Sequence, residues 1–206
     1  MKNDSYYYGD NLHSHATLGW HLPEIEATLT EIIDKTKMPK VIEIGSGNGA
    51  LIHTLKKKIN IIGIEPSDDR VRIANLGLSQ PCVYKRSVSD DLSQFGKFDV
   101  VISIDVVEHV LHPDEWAEKC YDLLEKNGVG IFTTTYHSYI KNLFLALTGK
   151  MSAHLDPLWR LGRIKFFTIA TFDSLLTEAG FKIVKIKRTG RVPILAKSIY
   201  VVCIKE

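Results

Sequence analysis

Val41-Ile42-Glu43-Ile44-Gly45-Ser46-Gly47-Asn48-Gly49-Ala50 is the stretch that decides the fold. A short β-branched run enters a glycine cluster, and an apolar pattern of helical period follows from about Ala50 to Lys57. Strand, glycine turn and helix in that order open a parallel α/β sheet. The glycines let the backbone approach a ligand, and the helix start offers unpaired N–H groups and the positive end of a dipole.

The same alternation continues outward. Ile61 to Glu65 reads as a second strand, stopped by Pro66-Ser67-Asp68-Asp69, a helix start with Pro early and acids in the first turn. A helix to about Leu76 precedes a third strand near Cys82–Lys85, and Phe98 to Ile104 is the fourth and most apolar. Pro113-Asp114-Glu115 opens a helix to Leu124 that Lys126-Asn127-Gly128 ends, and a fifth strand runs from Gly130 to Thr134. A helix from Phe172 to Ala179 and strands Phe181–Lys187 and Ser198–Ile204 close the chain. Strands alternating with helices at this spacing predict one α/β unit.

Two segments break the rhythm. The first 22 or so residues are rich in aromatics and His, among them Tyr6, Tyr7, Tyr8, His13, His15, Trp20 and His21. Residues 136–167 make a long excursion between two strands, and such excursions are usually lids or substrate loops. Within it, Ile140 to Leu147 reads as a buried lid helix in preference to a membrane-surface one, because it lacks a clear cationic face. His154, Asp156, Trp159 and Arg160 are candidate substrate-pocket residues, with a plain capped loop as the alternative. His13, His15 and His21 have no Cys or acid at matching spacing, so a lid is favoured there over a metal cluster.

Composition bounds the class. At 206 residues the chain can bury a core without disulfides or metal staples. Hydrophobic residues at 45% and charged ones at 24% exclude a disordered tail or coiled coil, and no run reaches the roughly 20 apolar residues of a spanning helix. A net charge of +2 gives no indication of nucleic acid as a partner. The one local basic run, Lys182 to Arg191, is largely strand alternation, with an anionic substrate near Arg191 as the rival reading. Cys82, Cys120 and Cys203 are far apart and without a CxxC pair, which predicts reduced thiols in a cytoplasmic protein; the start has no signal-peptide pattern.

The ligand is read from the loop and the acid beyond it. Glu65 lies 20 residues after Gly45 at the tip of the second strand, where a carboxylate can accept both hydroxyls of a ribose. The loop reads GxGxG and lacks the third glycine of the dinucleotide fingerprint and the Lys-Ser/Thr of a P-loop. Glu43, just upstream, suits a ligand with a charged amino-acid tail and no pyrophosphate.

The stretch Val41–Ala50 resembles the first motif of the class I S-adenosylmethionine (SAM) methyltransferases, and Ile64-Glu65-Pro66-Ser67 resembles their second. Phe98 to Pro113, with Val107-Glu108-His109-Val110-Leu111-His112-Pro113, resembles their fourth-strand motif, and Leu123 to Thr134 the fifth-strand one. The Glu-His stretch is most similar to small-molecule O-methyltransferases of the ubiquinone-pathway type. The resemblance implies a Rossmann-like, seven-stranded, mostly parallel sheet with an antiparallel last strand and helices on both faces. It implies one domain over residues 1–206, with an N-terminal lid (about 1–22) and a substrate-loop insertion (about 136–167).

Carried over residue by residue, the cofactor set is Glu43, Gly45, Gly47 and Gly49 on the methionine and ribose side, Glu65 for the ribose hydroxyls and Pro66 beside the adenine. Ser87 and Val88 edge the ring, and Ile104 and Asp105 face the methionine end. The implied reaction is methyl transfer from SAM, which becomes S-adenosylhomocysteine (SAH), to a small metabolite at a hydroxyl oxygen. N-methylation, an RNA methyltransferase and a non-catalytic SAM-binding subunit are the alternatives, and the GxGxG spacing speaks against a nicotinamide oxidoreductase.

Transfer from an activated sulfonium needs the acceptor held about 3 Å from the methyl carbon, and a hydroxyl also needs a base. His109 is the first candidate base and His137, past the fifth strand, the second; the alternative is that Glu108-His109 only tie down the helix entry. Asp105-Val106-Val107-Glu108-His109 also fits in outline a divalent-cation site of these relatives, with Asp in place of a longer Glu. A divalent metal stays an open alternative to which no residue is assigned.

Overall fold

A computed structural model of the chain describes residues 18–33, 38–151, 162–190 and 196–206. Its elements in order are α1 (Leu18–Ile33), β1 (Lys40–Ile44), α2 (Ala50–Leu55), β2 (Asn60–Glu65), α3 (Asp68–Ala74), β3 (Val83–Lys85) and β4 (Phe98–Ile104). After a 3₁₀ turn at Ser93–Phe95 before β4 and another at Val107–His109 come α4 (Pro113–Leu123), β5 (Leu124–Thr135), α5 (Tyr139–Leu147), α6 (Ile169–Glu178), β6 (Phe181–Thr189) and β7 (Ser198–Lys205).

The seven strands form one sheet in the order β3-β2-β1-β4-β5-β7-β6. β1 to β5 pair in parallel, while β7 runs antiparallel between β5 and β6. This is the expected Rossmann-like architecture. Because the chain winds from β1 to β3 and then crosses to β4, the carboxyl ends of β1 and β4 part at the switch point, where open α/β sheets bind ligands.

Neighbouring strand residues bury on opposite faces. Ile42, Val101, Phe132 and Val201 pack in one core with Trp116 of α4 and Phe172 of α6. Val41, Val100, Ile131 and Tyr200 pack in the other with Ile25 and Leu29 of α1 and Leu51 of α2. The central strands are therefore covered on both sides, which is why they read as unbroken apolar runs.

Four differences from the sequence reading have physical reasons. Leu18, Leu22, Ile25, Leu29 and Ile32 carry a helical stripe before β1, but Pro23 inside α1 hides it. β5 begins at once after α4, with Asn127 at φ 64; Lys126-Asn127-Gly128 thus bulges from the strand where pairing shifts between Phe98 and Val100, and does not end the helix. α6 starts before Phe172, at Ile169, because Thr168 and Thr171 form a reciprocal capping box. Last, α5 carries no buried residue, and Tyr139 (80% exposed), Phe144 (61%) and Leu147 (78%) face outward, so it is not the expected buried helix. The apolar face that marks a helix gives no sign of whether another element covers it.

The rest of the 136–167 excursion closes on itself at the base, where Tyr136 bridges Phe167. His13, His15 and most of the N-terminal segment, together with His154, Asp156, Trp159, Arg160 and Arg191, lie outside the described residues.

Candidate active site

A cleft of about 790 Å³ opens at the carboxyl ends of β1, β2 and β4. Of the twelve cofactor and base candidates named from the sequence, ten line it: Glu43, Gly45, Gly47, Glu65, Pro66, Ser87, Val88, Ile104, Asp105 and His109. Gly49 and His137 do not.

The loop end is built by backbone. Gly45 and Ser46 both donate to the Ile64 carbonyl at the end of β2, which folds the loop over that strand. Gly45 sits at φ 74, and a Cβ there would come within 2.4 Å of Val106 Cγ2, so only glycine lets the loop meet the β4 turn this closely. The Glu65 carboxylate, 2% exposed, accepts from Gly47 N (3.0 Å) and Ser67 N (3.1 Å) and lies 3.5 Å from the Arg70 guanidinium. It thus joins the glycine loop to the start of α3.

Gly49 has a different role. At φ 77 it begins α2, and a Cβ there would stand 2.8 Å from Ala74 Cβ; its task is to let α2 pack on α3. Glu43 lies under the loop, and its Oε2 makes no hydrogen bond among the described residues. Burial first, and the charge of Glu65 second, push its carboxyl well above the ordinary carboxylate range.

The other end is built by side chains. Asp105 ends β4 at φ 51, a left-handed conformation that Asp tolerates better than most residues. Its N–H donates to Thr133 Oγ1 (3.0 Å), and its Oδ1 accepts from the same hydroxyl (2.9 Å).

Glu108, 1% exposed, accepts from Thr134 Oγ1 (2.8 Å), Thr135 Oγ1 (2.7 Å) and Thr135 N (3.2 Å), with Arg163 Nε at 3.9 Å. Burial and then Asp105 raise its pKa, while the Thr135 and Thr134 hydrogen bonds and His109 oppose the shift. His109 Nδ1 lies 3.1 Å from the Gly162 carbonyl oxygen. A carbonyl only accepts, so Nδ1 is the donor in this pair, and the ring points its other nitrogen, Nε2, away from it.

His137 is buried beyond β5 with its ring 4.8 Å from that of Phe166, apart from the cleft. His21 is buried on α1, stacked on Tyr200, and burial lowers its pKa. Among the described residues no three His, Cys, Asp or Glu side chains are grouped to hold a metal ion. Asp105 and Glu108 are each hydrogen-bonded to β5 hydroxyls, and His109 faces the Gly162 carbonyl.

Sequence reasoning missed Leu18, Arg70 and Arg163, all of which line the cleft. Leu18 was concealed with the rest of α1. Arg70 had a legible signal, one turn into the helix that follows Glu65. Arg163 had none, because its approach depends on the fold of the excursion.

A family model described as "Methyltransferase domain" matches residues 20–186. The chain belongs to this methyltransferase family. A curated relative, the ubiquinone biosynthesis O-methyltransferase of Mesorhizobium japonicum, is 29% identical over 115 residues, covering 53% of this chain and 46% of the relative. The chain therefore spans about half the length of the curated relatives it matches.

Solved structures share the fold. A Pyrococcus horikoshii OT3 protein superposes with a TM-score of 0.71 at 16% identity, covering 99% of each chain. The magnesium protoporphyrin IX methyltransferase of Synechocystis PCC 6803, with bound SAH, gives 0.65 at 18% identity, covering 97% of this chain and 91% of that one.

Proposed function

We propose that this methyltransferase-family chain uses SAM to methylate a small molecule at a hydroxyl oxygen. The observation that carries the reading is Glu65, a buried carboxylate at the tip of β2 hydrogen-bonded to Gly47 of the glycine loop. It stands where ribose hydroxyls would be received, in a cleft whose far end carries His109. The close approach of Gly45 to Val106 suits a ligand laid along the loop backbone.

When bound, SAM supplies an electrophilic methyl group on a sulfonium. Glu65 would accept from the ribose hydroxyls, and the loop amides and Glu43 would line the methionine side. Pro66, Ser87 and Val88 border the adenine, while Ile104 and Asp105 border the sulfonium end. His109 Nε2 would take the acceptor's hydroxyl proton as the oxygen attacks the methyl group that SAM would supply, with SAH as the leaving group. His137 has no part in this scheme.

The O-methyltransferase name of the curated relatives supports oxygen as the target. Segment Gly162–Ile164, which lines the cleft, supports 136–167 as a substrate insertion in a single domain. The three cysteines are free thiols, and no described helix is long and apolar enough to cross a membrane.

Isothermal titration with SAM and SAH tests the cofactor, and transfer of labelled methyl to a panel of phenols, sugars and amines tests the acceptor. Micromolar binding with labelling of phenols or sugars is expected. No binding of either nucleoside overturns the reading, and labelling of amines alone overturns the oxygen assignment.

A further inference from the structure

Glu108 stands in the segment whose sequence outlines a cation site, yet its surroundings make it something else. Both of its carboxylate oxygens are occupied by the hydroxyls of Thr134 and Thr135, at 2.8 and 2.7 Å. Its backbone carbonyl accepts from Ile164 N (2.8 Å) and Lys165 N (3.1 Å). The next residue, His109, reaches the Gly162 carbonyl, and Arg163 lies beside the Glu108 side chain. One short turn therefore holds two separate parts of the chain: the end of β5 by side chain, and segment 162–165 by backbone.

We propose that Glu108 is a positioning residue that clamps β5, by its buried carboxylate, and the 162–165 segment, by its backbone carbonyl, to the turn carrying His109. The clamp fixes the His109 ring by holding Gly162 where its carbonyl meets Nδ1. Its meaning for His109 as a base rests on the proposed function; the clamp itself does not. A carboxylate this deeply buried is costly without partners, so its bonds to the two β5 hydroxyls and the turn's hold on 162–165 are kept together.

The test compares the full-length protein with Glu108→Ala, Glu108→Gln and Thr135→Val. By hydrogen exchange and mass spectrometry, Glu108→Ala should speed exchange in peptides covering 131–136 and 162–167 at least tenfold, with the 45–49 peptide unchanged. Gln keeps an acceptor oxygen and should restore most of the protection, and Thr135→Val should fall between. Long-range ¹⁵N correlation of the His109 ring should show the Nδ1–H tautomer in the native protein and in the Gln variant, and a mixture in the Ala variant.

Unchanged exchange in Glu108→Ala sinks the clamp; if that variant does not fold, unchanged exchange in Thr135→Val does so instead. Titration of the native protein with MgCl₂ and MnCl₂ should give no saturable heat. One-to-one binding that disappears in Glu108→Gln overturns the proposal in favour of a cation site. A separate SAM titration keeps the two readings apart: no SAM binding with the exchange pattern intact defeats the proposed function and leaves the clamp standing.

Discussion

The two halves of the cleft are made in different ways. The loop half is local: Gly47 and Glu65, whose hydrogen bond anchors it, are 18 residues apart on consecutive strand–helix units. The half around His109 is assembled from afar, with Glu108 and Thr134 26 residues apart and His109 and Gly162 53 apart. Backbone amides and glycines make the first, and hydroxyls, carboxylates and an imidazole make the second. A site made of backbone amides can be written into one contiguous motif, whereas a site made of side chains is set by whichever distant segments the fold brings together.

That contrast is open to direct attack. His109→Ala should lower turnover by about 10²–10⁴-fold, the usual contribution of a general base, with SAM affinity within twofold in calorimetry. Full activity in that variant removes the base from the half around His109. Glu65→Ala should weaken SAM by about 1–3 kcal/mol through loss of charge-assisted hydrogen bonds, and an unchanged dissociation constant breaks the ribose assignment.

Gly49→Ala separates scaffold from site. A left-handed alanine costs about 1–2 kcal/mol, and its Cβ would meet Ala74, so the melting temperature should drop by several degrees. Since Gly49 does not line the cleft, the folded variant should bind SAM as the native protein does; equal loss in both would make it part of the site.

The smallest effect concerns Glu43. Its folded pKa is raised, so the protonated form favours folding, and that stabilisation is lost as pH rises from the ordinary value of 4.5 toward the raised one. Glu43→Gln should therefore gain melting temperature over the native protein as pH goes from about 4 to 8. A gap that stays constant with pH shows that Glu43 does not titrate within the fold.

What could be read in the sequence follows the same divide. The strands, the glycine loop and Glu65 are legible because each depends on neighbours within a few residues and on the fixed order of an α/β sheet. α1 escaped because one proline outweighed five apolar positions at helical spacing. Exposure of α5 was not legible, since an apolar stripe is the same whether covered or bare. The purpose of Glu108 was half legible: its place after β4 was plain, but the hydroxyls that occupy it come from β5. Arg163 could not be found, for its distance from Glu108 exists only after folding.

The bridge between Tyr136 and Phe167 sets the two ends of the excursion side by side. A segment that leaves and re-enters a scaffold at adjacent points behaves as a cassette. Doubling such a loop adds only about 0.6 kcal/mol of closure entropy, and the sheet need not move to receive it. A loop of another length set between Tyr136 and Phe167 would therefore leave the glycine loop, Glu65 and the strand order in place.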